Sequence, residues 1–389
     1  MSLDIRLRDL YRERDNYFRI TEFRTGTGQF QLVSPALDNK KPLHARFRSA
    51  VPTYIFTESY VKVTTDKLRQ IDGNRDLQRQ FVLENLVAYQ ESNLLVFLKV
   101  LLKEGEKFSG NFVSHIIDIL SAPENTIIIP PLLYNFKVSK SGRLIPTAPV
   151  EPQSYLDFLR ELLGSLSSQG IKQVGINVPS NIPRSSVPEI LALFKDFDTP
   201  TAILDANGKT NVDSFLIQRS LVGIGSDNSY NLRQKQDEKY MLYSFDSKPY
   251  RGRGDIVPAM NVLQLDSGFS TFGSRHTIRM KPPPTPPPGV ELPSRILYNQ
   301  EYSYYKTTVP DAIEAFKHWR EENNIQDQVP LRPQIERYKR DYEYLGLSES
   351  IGKLYEYAGE GTLDKELSSH QHITKILERI KKNNKKMLS

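Results

Sequence analysis

Two carboxylates close short apolar runs, and strand ends are where a parallel sheet presents its chemistry. Asp266 ends the run Asn261 to Leu265, and Asp205 ends the run Thr201 to Leu204. If both runs are parallel strands, both acids face the loop side, where barrel active sites are built. Acids on separate strands suit a general acid/base paired with a nucleophile. Asp266-Ser267-Gly268 is also an ordinary turn sequence, and a capping role is the competing reading. Basic and aromatic residues surround the first acid. Lys248, Tyr250, Arg251 and Arg253 lie in SKPYRGRG, and Arg275, His276, Arg279 and Lys281 follow. Arginine in a Gly-rich loop can hold phosphates bidentately and tyrosine can stack on a splayed base, whereas plain solvation is the alternative for such a loop.

Composition closes off other chemistries. The 389 residues include no cysteine, which excludes disulfides, thiolate zinc sites, iron–sulfur clusters and cysteine nucleophiles. The six histidines are scattered, only His370 and His372 forming H-x-H near the tail, where a solvated surface is expected; no metal site is predicted. No G-x-G-x-x-G or G-x-x-x-x-G-K-[ST] follows an apolar run, so no cofactor is expected. A balance of 52 Lys+Arg against 46 Asp+Glu permits a nucleic-acid partner without demanding one. No run of 18 apolar residues occurs, and MSLDIRLRDLYRERD reads as a charged helix rather than a signal peptide. A cytoplasmic protein with no membrane partner is expected.

The scaffold for these residues follows from hydrophobic periodicity. Phe18 to Phe23 and Gln29 to Val33 alternate around Thr-Gly-Thr-Gly, a hairpin signal. VPTYIFT (51–57) reads as a first barrel strand, and Asp66 to Leu120 as mostly helical, with Asn93 to Leu102 either helix or buried strand. From Thr126, β-branched runs alternate with amphipathic segments: TIIIPPLLYNF, SYLDFLRELLGSLSSQG, IKQVGINVPSN, VPEILALFKDF, TAILDANGKT, VDSFLIQRS and LVGIG. With Tyr240 to Phe245 and Asn261 to Leu265 the tally reaches eight strands. The predicted fold is α/β, a (β/α)8 TIM-like barrel with an N-terminal β-hairpin and a C-terminal helical extension; an open doubly wound sheet is the alternative. The predicted divisions are 1–50 for the N-terminal helix and hairpin, 51–280 for the barrel, 281–294 for an extended Pro-rich connector, and 295–389 for a Tyr-rich and helical region.

The stretch Tyr240 to Met280 resembles the tRNA-guanine transglycosylases, especially archaeal ones. The pattern that carries their nucleophilic aspartate is matched by Leu242 to Phe245, Pro258-Ala259-Met260, and Leu265-Asp266-Ser267-Gly268-Phe269-Ser270-Thr271-Phe272. That family exchanges a base in tRNA: a carboxylate attacks the anomeric carbon and holds the sugar until a purine or 7-deazapurine base displaces it. The resemblance implies Asp266 as nucleophile, with Phe269 at the base. It puts Asp205 in the pocket as a second carboxylate and Asn177 where a base-reading aspartate lies. Gly223 and Gly225 fall where a ligand approaches the backbone. It further implies tRNA or another nucleic acid as partner, with a homo-oligomer or a paralogous subunit alongside.

Two features depart from the family. Its early DSGgFQ segment, which carries an acid/base aspartate, has no counterpart, and Glu58 is the nearest carboxylate. Its C-x-C-x-x-C zinc site is replaced by LYNQEYSYYK, with His318 alone downstream. Two functions therefore stand open: base exchange through a covalent aspartyl-glycosyl intermediate, or a catalytically inactive barrel serving as an RNA-binding or partner subunit.

Overall fold

The structure is a computed structural model. It describes residues 4–13, 16–25, 28–31, 34–41, 43, 56–72, 74–86, 93–103, 105–106, 110–121, 127–140, 142, 144–179, 182–197, 199, 201–206, 241–250, 254–266, 268–276, 294–298, 301–325 and 331–378. The expected elements VDSFLIQRS and LVGIG and the Pro-rich run 281–293 lie outside the described residues.

The N-terminal segment is a strand, not the expected helix. β1 (Asp4–Glu13) pairs antiparallel with β2 (Asn16–Thr25), which pairs with β3 (Gly28–Gln31). Its apolar residues Ile5 and Leu7 alternate with charges, and a register shift after Leu7 restores the pattern at Leu10. Period two thus outweighs the helical look of a charge-rich run.

The centre is a curled, parallel-rich sheet with helices on its outer face. One part has the order β4 (Leu37–Asp38), β5 (Phe56–Thr64), β6 (Asn93–Leu102), β7 (Leu132–Val138) and β8 (Leu144–Pro149), parallel except for the β7–β8 hairpin. The other is wholly parallel: β9 (Ile176–Pro179), β10 (Thr201–Asp205), β11 (Met241–Phe245) and, beyond the short β12 (Ile256–Pro258), β13 (Thr271–Phe272). Parallel bridges Leu95–Ile127 and Ile128–Val174 link the two. On the far side, Ala36 N donates to Phe272 O at 2.9 Å and Thr271 Oγ1 to Ser34 O at 2.8 Å.

Strand alternation sorts the side chains into two layers. Val61, Val63, Val96, Leu98, Val100, Ile176, Val178, Ala202, Leu204 and Leu242 point outward into one core cluster. Phe56, Leu95, Phe97, Leu101, Ile127, Ile129, Ile203, Met241, Tyr243 and Phe245 point inward into another. The outer layer is covered by α1 (Thr65–Ile71), α2 (Arg75–Asn85), α3 (Gly110–Ser121), α4 (Pro152–Ser168) and α5 (Val187–Leu193). Helix starts follow local chemistry: Thr64 Oγ1 accepts from Lys67 N at 3.2 Å, and Asn74 Oδ1 from Leu77 N at 3.0 Å. Asn93 to Leu102 is a buried strand.

The run Asn261 to Leu265 is not a strand. Met260–Leu263 forms a short helix, α6, in which Ala259 O accepts from Val262 N and Leu263 N, both at 3.0 Å. The polar Asn261 and Gln264 are buried along with Val262, Leu263 and Leu265, so the run carries no period that separates strand from helix.

In the C-terminal part, β14 (Ser294–Tyr298) and β12 flank β15 (Ser303–Thr307) in an antiparallel sheet. Then come α7 (Val309–Glu322), α8 (Leu331–Gly359) and α9 (Leu363–Ser369), with a last helical turn at 371–378. Ile296, Ala312, Phe316 and Tyr338 form its own apolar cluster. Among the described residues, no helix is long and apolar enough to cross a membrane.

Candidate functional site

The same alternation that fills the inner layer with aromatics also turns charged residues inward. On β5, Glu58, Tyr60 and Lys62 share parity with the inward Phe56; on β6, Lys99 continues Leu95 and Phe97; on β10, Asp205 follows Ile203. β11 ends at Phe245, and Asp246 turns with φ 53°, a left-handed conformation that aspartate tolerates better than most residues.

One half of the site is built on Glu58, which is completely buried. Tyr243 Oη donates to its Oε2 at 2.5 Å, Ser274 N donates to Oε1 at 2.5 Å, and His276 Nε2 lies 2.8 Å from Oε1. His276 is held from two further sides: its backbone N donates to Asp246 Oδ1 at 2.6 Å, and its Nδ1 lies 3.8 Å from Asp38 Oδ2. Its ring packs between Tyr60 and Phe245, at 4.8 and 5.5 Å. Burial pushes the imidazole toward neutrality, but the charge and hydrogen bond of Glu58, with Asp38 and Asp246, outweigh it and raise its pKa above the usual histidine value. Tyr243 is pushed far up by burial and by Glu58, so it stays a neutral donor.

The other half is a buried cation with its counter-charge. Lys99 Nζ lies 3.8 Å from Asp205 Oδ2 and stands over the Tyr134 ring at 4.2 Å and the Tyr60 ring at 5.7 Å. Tyr134 Oη donates to Asp205 Oδ2 at 3.0 Å, and burial with the Asp205 charge raises its pKa well above normal. A ring face beside a desolvated ammonium supplies part of what water would.

Against Glu58 runs Gly273, the residue after β13. Its parity is inward, and a Cβ added there would overlap Glu58 Oε2 and Tyr243 Oη. The position therefore admits no side chain while Glu58 holds its place.

Of the residues expected from sequence, Asp205 and Asn177 share this inner face. Asn177 pairs in register with Ile203, donates from Nδ2 to Pro130 O at 2.8 Å, and has no hydrogen-bond partner at Oδ1. Asp266 lies elsewhere. It follows α6 and precedes β13 by five residues, below Ser270, whose N donates to Leu242 O near the start of β11. It is buried on the entry side of β13 and makes no contact described above with Glu58, His276, Lys99 or Asp205. The strand expected at Asn261 to Leu265 is what would have carried it to the exit side. Phe269 packs in the outer layer, not beside the inner cluster.

Tyr250 is half-buried, with its ring 4.9 Å from that of Tyr304, so it is committed to internal packing. Lys248 and Arg275 are half-buried near the exits of β11 and β13. Gly223, Gly225, Arg251, Arg253, Arg279 and Lys281 lie outside the described residues. His370 and His372 are docked rather than solvated: His372 Nε2 approaches Glu301 O at 3.0 Å and the Ser303 hydroxyl, and His370 meets the Tyr302 ring edge-on. His318 sits exposed on α7, 3.3 Å from Glu322. Among the described residues, no three His, Asp or Glu side chains converge in a way that could hold a metal ion.

Sequence reading missed Lys99, Tyr134, Asp38 and Asp246, named Glu58 only as the carboxylate nearest a missing motif, and took His276 for part of a basic surface. One signal was available. Lys99 is the lone charge in the otherwise apolar run of LLVFLKVLL, and such a charge in a buried strand needs a partner. No protein-family model matches the chain, and no curated protein is similar to it.

Proposed function

We propose that this chain is a transglycosylase-like (β/α)8 barrel that binds RNA without exchanging a base. Closure of the curled sheet is supported by the Ala36–Phe272 and Thr271–Ser34 hydrogen bonds, which join its first and last strands. Loss of covalent exchange rests on a single observation. The inward position after β13 is Gly273, and its space is taken by Glu58 and Tyr243. Glu58 itself accepts three hydrogen bonds, which occupy its oxygens and blunt it as a nucleophile, and Asp266 is buried ahead of the entry to β13. The RNA partner rests on the resemblance of residues 240–280 and on Lys248 and Arg275 near the strand exits.

One observation favours base exchange as the second reading: Asp205 ends a strand on the inner face, with Tyr134 and Lys99 as hydrogen-bond and charge partners. A single experiment separates the two. The purified chain is incubated with total tRNA from its native host and labelled guanine, then assayed for filter retention of tRNA, label in tRNA, and a covalent adduct on denaturing gels. Retention without label or adduct is expected. Label or adduct that disappears in Asp205→Asn or Asp266→Asn would establish exchange instead, and absence of retention would remove the RNA reading.

A further inference from the structure

The β7–β8 hairpin rises from the same rim as the inner cluster. β6 ends in register at Leu102 opposite Asn135, but β7 continues to Val138, about 10 Å further at 3.3 Å per residue. β8 returns along it with Val138 opposite Leu144 and Lys137 opposite Ile145. Val138 and Leu144 are 61% and 46% exposed, a cross-strand apolar pair left open to solvent. Lys137, on the opposite face of the ribbon, and Lys140, in the turn, are also exposed, and Gly142, with φ 73°, closes the turn through Gly142 N to Ser139 O at 2.9 Å. From Asn125 to Val150 the sequence holds three cations, Lys137, Lys140 and Arg143, and no carboxylate.

We propose that this hairpin is an RNA-contacting arm, in which Lys137 and Lys140 meet backbone phosphates and Val138 and Leu144 lie against ribose or an unstacked base. The proposal rests on the RNA-binding reading above and gives it a surface. Charge decides the occupant: an arm with cations and no local acid fits a polyanion, and unneutralised ammonium groups gain most where they release condensed counterions. An extended peptide adding to the edge strand fits less well. Although β8 has no second strand neighbour among the described residues, Pro146 and Pro149 remove two of its six N–H donors.

The test compares wild type with two double variants, Lys137→Gln/Lys140→Gln and Val138→Ser/Leu144→Ser, for binding to host tRNA across a salt series. All four positions are exposed, so circular dichroism should be unchanged. Losing two phosphate contacts should lower the slope of log K against log salt by about 1.4–1.8 and weaken binding about 25- to 60-fold at 0.1 M salt. The serine variant should weaken binding with the slope unchanged. Wild-type binding that the lysine variant leaves intact in affinity and slope would overturn the arm while sparing the RNA reading. No wild-type binding at all would overturn both. Loss of binding to poly-glutamate but not to tRNA in the lysine variant would assign the arm to an acidic protein and overturn the proposal.

Discussion

Replacing Gly273 by alanine tests the packing on which the loss of exchange depends. Gly273 has no left-handed φ, so the substitution carries no backbone strain of its own and acts through the added methyl alone. That methyl would meet Glu58 Oε2 and Tyr243 Oη. Neither atom is the free end of a flexible side chain: Glu58 is pinned by Tyr243, Ser274 and His276, and Tyr243 stacks on Phe97 at 5.5 Å. Overpacking a site that cannot yield costs about 1–3 kcal/mol. Glu58→Ala should also be destabilising, by about 3–5 kcal/mol, because it leaves His276 without its nearest carboxylate and strands two buried donors. The double variant relieves the contact with Glu58 and frees the Tyr243 hydroxyl from its hydrogen bond, so it should be more stable than the two single losses predict, with a coupling of about 0.5–3 kcal/mol. Urea unfolding of the four proteins measures the cycle. A neutral Gly273→Ala, or additive losses, would refute the claim that Glu58 and Tyr243 fill this position.

The remaining predictions concern the charges. Since the pKa of His276 is raised in the folded chain, its contribution to stability should be complete below about 6.5, the usual histidine value, and fade as pH rises through the folded value. The stability difference between wild type and His276→Gln should therefore shrink from pH 6 to pH 9; a constant or growing difference refutes the assignment. Lys99→Met removes the ammonium beside buried Asp205 and should cost about 3–5 kcal/mol, with Asp205→Asn added to it recovering part of that loss in urea unfolding.

How much of this was legible depended on strand length. Thr201 to Asp205 could be read as a strand because apolar residues fill it between turn signals, and the position of Asp205 followed directly, whereas Asn93 to Leu102 stayed open between helix and buried strand because its apolar run has no period. Asp266 was misplaced because MNVLQL is too short to separate a helix turn from a strand, so the acid that follows it changed ends of the sheet. Glu58 was passed over because the expected strand, 51–57, stops just before it, whereas the strand in the structure runs Phe56–Thr64 and puts Phe56, Glu58, Tyr60 and Lys62 on one face. The opening strand was hidden by its charges, which mask the alternation of Ile5 and Leu7.

Stability does not explain why this inner face keeps its charges. Each ion buried from water costs several kcal/mol, and apolar residues of similar volume in place of a buried pair are often neutral or stabilising. Lys99 with Asp205, and His276 with Glu58, Asp38 and Asp246, are therefore a poor way to fill a sheet that already stacks Phe97 on Phe245 at 3.9 Å. Their place is more informative than their energy. They share the inner face with Phe97, Tyr243 and Phe245 and run from Glu58, in register with Leu95, to Asp205, the last residue of β10. Asn177 Oδ1 and Tyr60 Oη add two polar atoms without hydrogen-bond partners on the same face.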